Sequence, residues 1–392
     1  MMWKKTGSYL ASLIIAIVLS LGVINCYSVW LDQQLEALDD KKVILNASVV
    51  KDKGLYLLQR SIRHGDFLLI GSSELGAPVP QNPINLFPNQ ELPRQIDKVG
   101  SASKQSLLDG ILIGAIGADE NACIAMVVSM QWFFNDDIDK KGTRFHFSEI
   151  QYYAFMRNDK ISEDDKVYVS GRLAKLLEGE DSVRAACLYA NLHSQDTIMH
   201  RLGQIMLYPY FEGKYALLRL KDKYVAYKYL KDAKGEDIPL KHIEWSEEQD
   251  KATAMGREKC TNNNLYVYDE YYDKYLETQY SKLKDYLHNQ KLLTCKETDD
   301  YRFFLRTANA VHVKPYMIFM SVNGWYYDYV GIGKNKRYEF YDWLAKETVS
   351  HGIEYLDTRA YEYSPYFYCD VMHLGWKGWL YVGENVSKHF CK

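Results

Sequence analysis

The stretch FLLIGSSEL at residues 67–75 decides the fold, because an apolar run leads there directly into a glycine–serine turn. A short apolar run bounded by a turn is typical of a buried β-strand. Similar runs follow at 123–129, 316–322 and 353–356. Stretches with helical spacing separate them, at 104–116, 163–178, 183–206 and 337–349. Short apolar strands that alternate with helices predict an α/β fold, with a mostly parallel sheet and helices on both faces.

Ser73 is the first candidate catalytic residue. Ligand sites of parallel sheets lie beyond the carboxyl ends of the strands, and Ser73 closely follows the apolar run at 67–70. A serine on such a turn can expose its hydroxyl, but the hydroxyl is a weak nucleophile at neutral pH and needs a base. The turn departs from the Gly-x-Ser-x-Gly elbow of α/β-hydrolases, because Leu75 replaces the second glycine. Glycine–serine turns after strands are common, so the turn taken alone favours an ordinary loop.

The stretch DVMHLGWKGW at residues 370–379 supplies a candidate base. Asp370 and His373 are three residues apart, so one turn can bring the carboxylate to a ring nitrogen of the histidine. That bond fixes the tautomer and leaves the other nitrogen free to take a serine proton. A purely structural Asp–His pair is the alternative interpretation. No second histidine or carboxylate forms a recognisable ligand pattern here, so we expect neither a metal nor another cofactor.

Several blocks of sequence together resemble a known family. A serine after an early strand and an Asp-x-x-His near the C-terminus occur in the order found in SGNH (GDSL-like) serine hydrolases. The residues of the blocks resemble the DltD family even more closely. Members of that family belong to the system that places D-alanyl esters on teichoic acids. The blocks are GSSEL at 71–75, NLFPN at 85–89, QWF at 131–133, VNGW at 322–325, YFY at 366–368 and the stretch at 370–379.

The resemblance implies an SGNH-hydrolase-like, flavodoxin-like domain with Ser73 as nucleophile and with Asp370 and His373 as its partners. Ser72 is the alternative nucleophile. The sequence departs from the SGNH pattern, because Ser72 replaces the aspartate of Gly-Asp-Ser and the oxyanion blocks are not legible. Our candidate oxyanion donors are the amide of Ser73, the backbone at Gly100 and the side chain of Gln131. Our candidate substrate-binding residues are Lys377, Tyr366 and Trp132.

The first thirty residues predict a membrane anchor. No charged residue occurs from 6 to 31, and a spanning helix needs roughly 20 mostly apolar residues. Lys4 and Lys5 precede the run and acidic residues follow it, which places the N-terminus in the cytoplasm. We therefore predict a cytoplasmic tip and transmembrane helix at 1–31, a stalk at 32–42 and an extracytoplasmic domain at 43–392, with a polar helical insertion at about 207–294. A cleaved signal peptide fits less well, because Ile24-Asn25-Cys26 is a poor cleavage site, and so does a lipoprotein box ending at Cys26, because Asn25 stands where a small residue is expected.

Composition narrows the class of protein further. The net charge of -3 and the absence of a long basic block argue against nucleic acid as a partner. Six cysteines follow the predicted anchor, and an even number in an exported domain permits disulfides whose pairing the sequence does not fix.

Three functions are compatible with these features. The leading hypothesis is transfer of D-alanyl groups to teichoic acid, or a related envelope polymer, through an ester on Ser73. The second is an esterase or thioesterase that uses water as the acceptor. The third is a non-catalytic scaffold that holds teichoic acid beside a membrane O-acyltransferase. The expected partners are the polymer, that acyltransferase, the membrane and, as a further candidate, the D-alanyl carrier protein.

Overall fold

The computed structural model of this protein describes residues 2–43, 45, 48–134, 140–235 and 238–391. Its chain divides into two compact units, one formed by Met1–Val43 and Glu212–Asp237, the other by Ile44–Phe211 and Ile238–Lys392. The larger unit contains every candidate site residue.

A five-stranded parallel sheet forms the centre of the larger unit. The order is β2-β1-β3-β4-β5, which is the flavodoxin-like order of doubly wound sheets. The predicted α/β fold with a parallel sheet is thereby confirmed. The strands are β1 (Phe67–Ile70), β2 (Ile96–Val99), β3 (Ile124–Ser129), β4 (Tyr316–Met320) and β5 (Tyr355–Asp357).

Helices make up most of the remaining described chain. They are α1 (Met2–Glu36), α2 (Val49–Asp52), α3 (Tyr56–His64), α4 (Ser106–Ala115), α5 (Lys140–His146), α6 (Glu149–Met156), α7 (Glu163–Leu176), α8 (Arg184–His193), α9 (Ile198–Asp232), α10 (Trp245–Lys259), α11 (Asp269–Tyr275), α12 (Glu297–Ala310), α13 (Gly324–Tyr329), α14 (Lys334–Ser350) and α15 (Trp376–Phe390).

Both faces of the sheet are buried, as expected for parallel strands. On one face, Leu69, Val127 and Ile318 belong to an apolar cluster that also contains Trp376 and Trp379 of α15. The alternate side chains of the same strands point to the other face and are equally buried. Helix α15 therefore fixes the C-terminal segment, which includes the Asp370–His373 turn just before it, against the sheet.

Strand β2 was not predicted, because its sequence IDKV looks polar. Asp97 is nevertheless buried, where it pairs with Lys51 and accepts a hydrogen bond from Ser61 at 2.9 Å. Lys98 is half-buried and donates from its side chain to the carbonyl of Leu75 at 3.0 Å. An ion-paired aspartate and a half-buried lysine therefore occupy β2, so no continuous apolar run marks this strand in the sequence.

The predicted helix at 183–206 is instead two helices, α8 and α9, interrupted at residues 194–197. Helix α9 then continues to Asp232 with Pro209 inside it. The predicted insertion at about 207–294 thus contains the greater part of α9, together with α10 and α11, and its status as an insertion stays a prediction.

The smaller unit consists of α1 and the second part of α9. Lys223 of α9 pairs with Asp32 of α1 at 2.7 Å, and the rings of Trp30 and Tyr227 meet at 5.6 Å. No helix in the described part of the chain combines the length and the apolar composition that a membrane span requires. The side chains at 1–14, 16–18 and 21, on which the predicted span largely rests, lie outside the described residues.

All seven cysteines are free thiols in the structure. The disulfides that the sequence permitted are therefore not formed here.

Candidate active site

The turn after β1 lies where the connections of the sheet reverse direction. The chain leaves β1 for β2 on one side and returns to β3 on the other, so a crevice opens at the carboxyl ends of β1 and β3. Residues Ser73–Gly76 form a 3-10 turn at this point. Ser73, the first residue of the turn, is exposed, whereas Ser72 is buried.

A buried carboxylate holds the turn in shape. Glu74 is 1% exposed, and its Oε1 accepts a hydrogen bond from the amide of Ser72 at 2.6 Å. A Cβ atom at Gly71 would lie 2.6 Å from that same oxygen, so a side chain there would displace the carboxylate. Burial raises the pKa of Glu74 to about 7, although its hydrogen bond with Ser72 opposes the shift.

Gly100, at the end of β2, allows the two strand ends to approach closely. Its φ is +131°, and a Cβ atom there would lie only 1.8 Å from the carbonyl oxygen of Gly71. A side chain is therefore excluded both by the backbone conformation and by the contact.

The loop that carries Asp370 and His373 is tied to neighbouring elements by backbone hydrogen bonds. The amide of Asn323, just after β4, donates to the carbonyl of Val371 at 3.2 Å, and the amide of Tyr268 donates to the carbonyl of Cys369 at 2.8 Å. Within the loop, Asp370 Oδ1 accepts the amides of Met372 and His373, each at 2.7 Å. This Asx-type turn uses Oδ1 to fix the orientation of the Asp370 carboxylate, and it leaves Oδ2 available for another contact.

The structure brings the three predicted side chains together, although Ser73 and His373 are 300 residues apart in sequence. The hydroxyl oxygen of Ser73 lies 2.8 Å from Nε2 of His373. Nδ1 of His373 lies 2.6 Å from Oδ2 of Asp370. The histidine is 20% exposed and the aspartate 16%, so the pair is only partly shielded from water while Ser73 is open to it.

The charges around His373 favour its protonated form. Burial lowers the pKa of His373, but the hydrogen bond and the negative charge of Asp370 outweigh burial, and Glu74 adds a smaller effect in the same direction. The net result is a pKa above the ordinary histidine value. A histidine with this environment can accept a proton from Ser73 and hold it as an imidazolium.

Ser72, the alternative nucleophile, is oriented differently. Its hydroxyl donates to the carbonyl of Ser101 at 3.3 Å, and its side chain is 2% exposed. The hydrogen bond described for the ring nitrogen Nε2 of His373 goes to Ser73 instead.

The three candidate oxyanion donors differ in availability. The amide of Gly100 already donates to Asp52 Oδ2 at 3.0 Å, and an amide has one proton to give. Gln131 donates from Nε2 to the hydroxyl of Tyr327 at 2.7 Å. The amide of Ser73 begins a 3-10 turn, where the first N–H groups lack partners within the turn.

The contacts described for the three candidate substrate-binding residues involve groups other than Ser73. Lys377 donates from its side chain to Ser364 Oγ at 3.3 Å, and burial lowers its pKa. Tyr366 has a left-handed φ of 65° and packs its ring against Tyr266. Trp132 is only 7% exposed. Their roles in substrate binding stay predictions.

A cavity of about 280 Å³ adjoins Asp370 and was not predicted from the sequence. Its wall includes Pro78, from the loop after Ser73, and Tyr271 and Lys274 of α11. Burial and the charge of Asp370 both raise the pKa of Tyr271. The tyrosine-rich stretch around α11, interpreted from sequence as part of an insertion, therefore contributes directly to the surroundings of Asp370.

No group of three or more metal-ligating side chains occurs among the residues covered by the structure.

The chain has the fold of a doubly wound α/β protein, with serine, histidine and aspartate in one hydrogen-bonded series at the carboxyl edge of its sheet. This series recurs on several unrelated folds in enzymes that transfer or hydrolyse acyl groups.

The chain belongs to the DltD family. The family model described as "DltD protein" matches residues 44–391. Protein DltD of Bacillus subtilis (strain 168) is 26% identical over 389 residues, which cover 97% of each chain. Protein DltD of Staphylococcus aureus (strain NCTC 8325 / PS 47) is 23% identical over 88% of this chain and 85% of its own. Protein DltD of Lacticaseibacillus rhamnosus is 22% identical over 81% of this chain and 75% of its own.

Proposed function

We propose that this chain transfers D-alanyl groups to teichoic acid, or a related envelope polymer, through an ester on Ser73. Membership of the DltD family supports a role in D-alanylation. The observation that carries the mechanism is the unbroken series of hydrogen bonds from Ser73 through His373 to Asp370.

The first half of the reaction forms the ester. Nε2 of His373 removes the proton from Ser73 Oγ as that oxygen attacks the carbonyl carbon of an activated D-alanyl donor. The tetrahedral intermediate collapses, the bond to the donor's leaving group breaks, and the imidazolium of His373 returns the proton to that group. Asp370 stabilises the imidazolium and keeps Nδ1 protonated.

The second half repeats these steps with a polymer hydroxyl in place of the serine. His373 takes the hydroxyl proton, the polymer oxygen attacks the D-alanyl-Ser73 ester, and Ser73 leaves with the proton returned by His373. The amide of Ser73 is our proposed donor to the oxyanion in both halves, because its N–H lies at the start of the 3-10 turn.

We further propose an SGNH-hydrolase-like fold on the outer side of the cell membrane, anchored by one span within residues 1–31. The strand order and the serine in the turn after the first strand support the fold assignment. The uncharged run at 6–31 between Lys5 and Asp32 supports the anchor and the orientation. A membrane O-acyltransferase is the expected partner at that surface, and the D-alanyl carrier protein is a further candidate.

A serine-directed fluorophosphonate tests the activated serine. In the full chain, purified in detergent, we expect the probe to label Ser73. His373→Ala should slow that labelling on the order of 10²- to 10⁴-fold, because general-base assistance contributes that much. The rate of labelling is measured by mass spectrometry of the peptide that contains both serines.

Ser72→Ala is the matched control, since it removes a neighbouring hydroxyl that bonds to Ser101 instead of His373. We expect it to label at the wild-type rate. Labelling of Ser72, or an unchanged rate in His373→Ala, would show that the hydrogen bond from Ser73 to His373 does not activate the serine.

A further inference from the structure

The first part of α9 exposes an unusual amount of apolar surface. Seven large apolar side chains in this segment are between 50% and 79% exposed. Elsewhere in the larger unit, exposed side chains of this kind are scattered along the described chain. A contiguous patch on a soluble domain usually marks a surface that something covers. The seven are Ile198, Met199, Leu202, Ile205, Met206, Tyr208 and Tyr210.

Six of these side chains lie on one side of the helix, which we call the apolar face. With 3.6 residues per turn, Ile198, Met199, Leu202, Ile205, Met206 and Tyr210 span an arc of about 140° over roughly 18 Å of helix. An arc wider than about 100° exceeds the narrow seam of a coiled coil. The apolar face is therefore broad and convex.

The other side of the same helix segment packs against the rest of the larger unit. The helix is therefore well packed, and its apolar face is not a core-facing surface that failed to pack. The ring of Phe211 is 2% exposed and meets the ring of Tyr189 at 4.7 Å. Gln204 donates to the carbonyl of Leu192 at 2.7 Å, and a Cβ atom at Gly203 would lie 2.6 Å from a methyl carbon of Leu192. Close packing on one side holds the apolar face outward.

The chemistry of the segment fits a lipid surface. No acidic residue occurs between Asp196 and Glu212, and Arg201 within the segment forms an ion pair with Asp196 just before it. Tyr208 and Tyr210 have an apolar ring and a polar tip, the combination that collects at the boundary of a bilayer. A broad convex face suits the flat interface of a membrane better than a protein groove, which grips a helix by a few anchor residues.

We propose that the apolar face of α9 inserts into the interfacial region of a phospholipid bilayer, as a membrane contact separate from the predicted anchor in α1. The surface itself does not depend on the chemistry of Ser73. The contact would restrict the motion of the larger unit relative to the membrane, where a lipid-linked acceptor would be found.

The test places an environment-sensitive NBD probe at Leu202→Cys in the full chain, with Cys26→Ser and Cys391→Ser to remove the exposed thiols. The protein is reconstituted in vesicles of phosphatidylcholine and phosphatidylglycerol, with and without lipids that carry a spin-label quencher. Val349→Cys is the matched control, because Val349 is a single exposed apolar residue on α14.

We expect NBD at 202 to emit at shorter wavelength in vesicles than NBD at 349, and the spin-labelled lipids to quench it several-fold more strongly. Ile205→Glu together with Met206→Glu should remove both effects at 202 while the protein stays bound to the vesicles. Labelling of Ser73 by a fluorophosphonate reports whether each variant is folded.

Two results would overturn the proposal. If NBD at 202 has the spectrum of a water-exposed probe in vesicles, lipid does not cover the apolar face. If its emission shifts without quenching by spin-labelled lipid, and the shift grows with the protein-to-lipid ratio, a second copy of the chain covers the face instead.

Discussion

In a strain that lacks its own copy of this protein, Ser73→Ala is expected to leave envelope D-alanyl ester at the level of the deletion strain. The variant removes the oxygen atom that would carry the acyl group, and this is the same oxygen to which Nε2 of His373 is hydrogen-bonded. Ser72→Ala should restore wild-type ester, because its hydroxyl bonds to the carbonyl of Ser101. The measurement is D-alanine released from washed cells by mild alkali.

The other outcomes of this experiment are equally informative. Wild-type ester with Ser73→Ala would mean that the chain acts as a scaffold and that the acyl transfer takes place elsewhere. More ester with Ser73→Ala than with the wild-type chain would mean that Ser73 serves an esterase that removes D-alanyl groups. The amount of each variant in the membrane is measured in parallel, so that a loss of protein is not mistaken for a loss of activity.

Asp370→Asn is expected to lower the rate of acyl transfer on the order of 10⁴-fold, the size of this effect in a serine protease triad. Asparagine can still accept the amides of Met372 and His373 with its oxygen, so the loop should keep its shape. Its amide group would then face Nδ1 of His373 as a donor. Nδ1 would have to accept that bond, and the proton would move to Nε2, which could no longer take a proton from Ser73.

The pH dependence of the reaction separates this explanation from simple unfolding. His373 must be neutral to act as a base, so the rate should rise with pH as the ring loses its proton. Because the bond to Asp370 and the charge of Asp370 raise the pKa of His373, Asp370→Asn should move this acidic limb to lower pH. Asp342→Asn, which changes an exposed carboxylate paired with Arg359, is the matched control and should alter neither the rate nor the limb. An unchanged limb in Asp370→Asn would contradict the assignment of the base.

The central strands could be predicted because burial on both faces makes their sequences continuously apolar. Strand β1 has the predicted bounds, and β3 and β4 differ from the predicted runs by one or two residues. Strand β2 could not be predicted in this way. Its Asp97 is stabilised by Lys51, which is distant in sequence, and no periodicity reveals such a pair.

The place of Ser73 after a strand and the spacing of Asp370 and His373 made these residues candidates, but the choice of all three rested on the resemblance to the DltD family. The residues that hold these three in place were harder to predict from the sequence. The role of Glu74 beneath the turn depends on its burial, and the need for glycine at Gly100 depends on the approach of a different strand. The cavity beside Asp370 depends on α11, nearly 100 residues earlier in the chain.

The exposure of the apolar face of α9 could not be predicted, since the sequence alone makes this segment look like an ordinary amphipathic helix. In the structure, the solvent exposure of Leu202 and Met206 shows that the apolar side chains face outward and not toward the core. The same periodicity is compatible with either orientation, and the packing of Phe211 decides between them.

The most direct test of the account is the detection of D-alanine on Ser73 itself. Membranes that contain the complete D-alanylation system are supplied with D-alanine and ATP but depleted of acceptor polymer, so that the acyl group cannot move on. The chain is then denatured in acid, digested and analysed by mass spectrometry. We predict a D-alanyl ester on Ser73 that mild alkali removes and that is absent in His373→Ala. A peptide that stays unmodified at Ser73, while the same membranes D-alanylate added polymer, would contradict the acyl-enzyme mechanism.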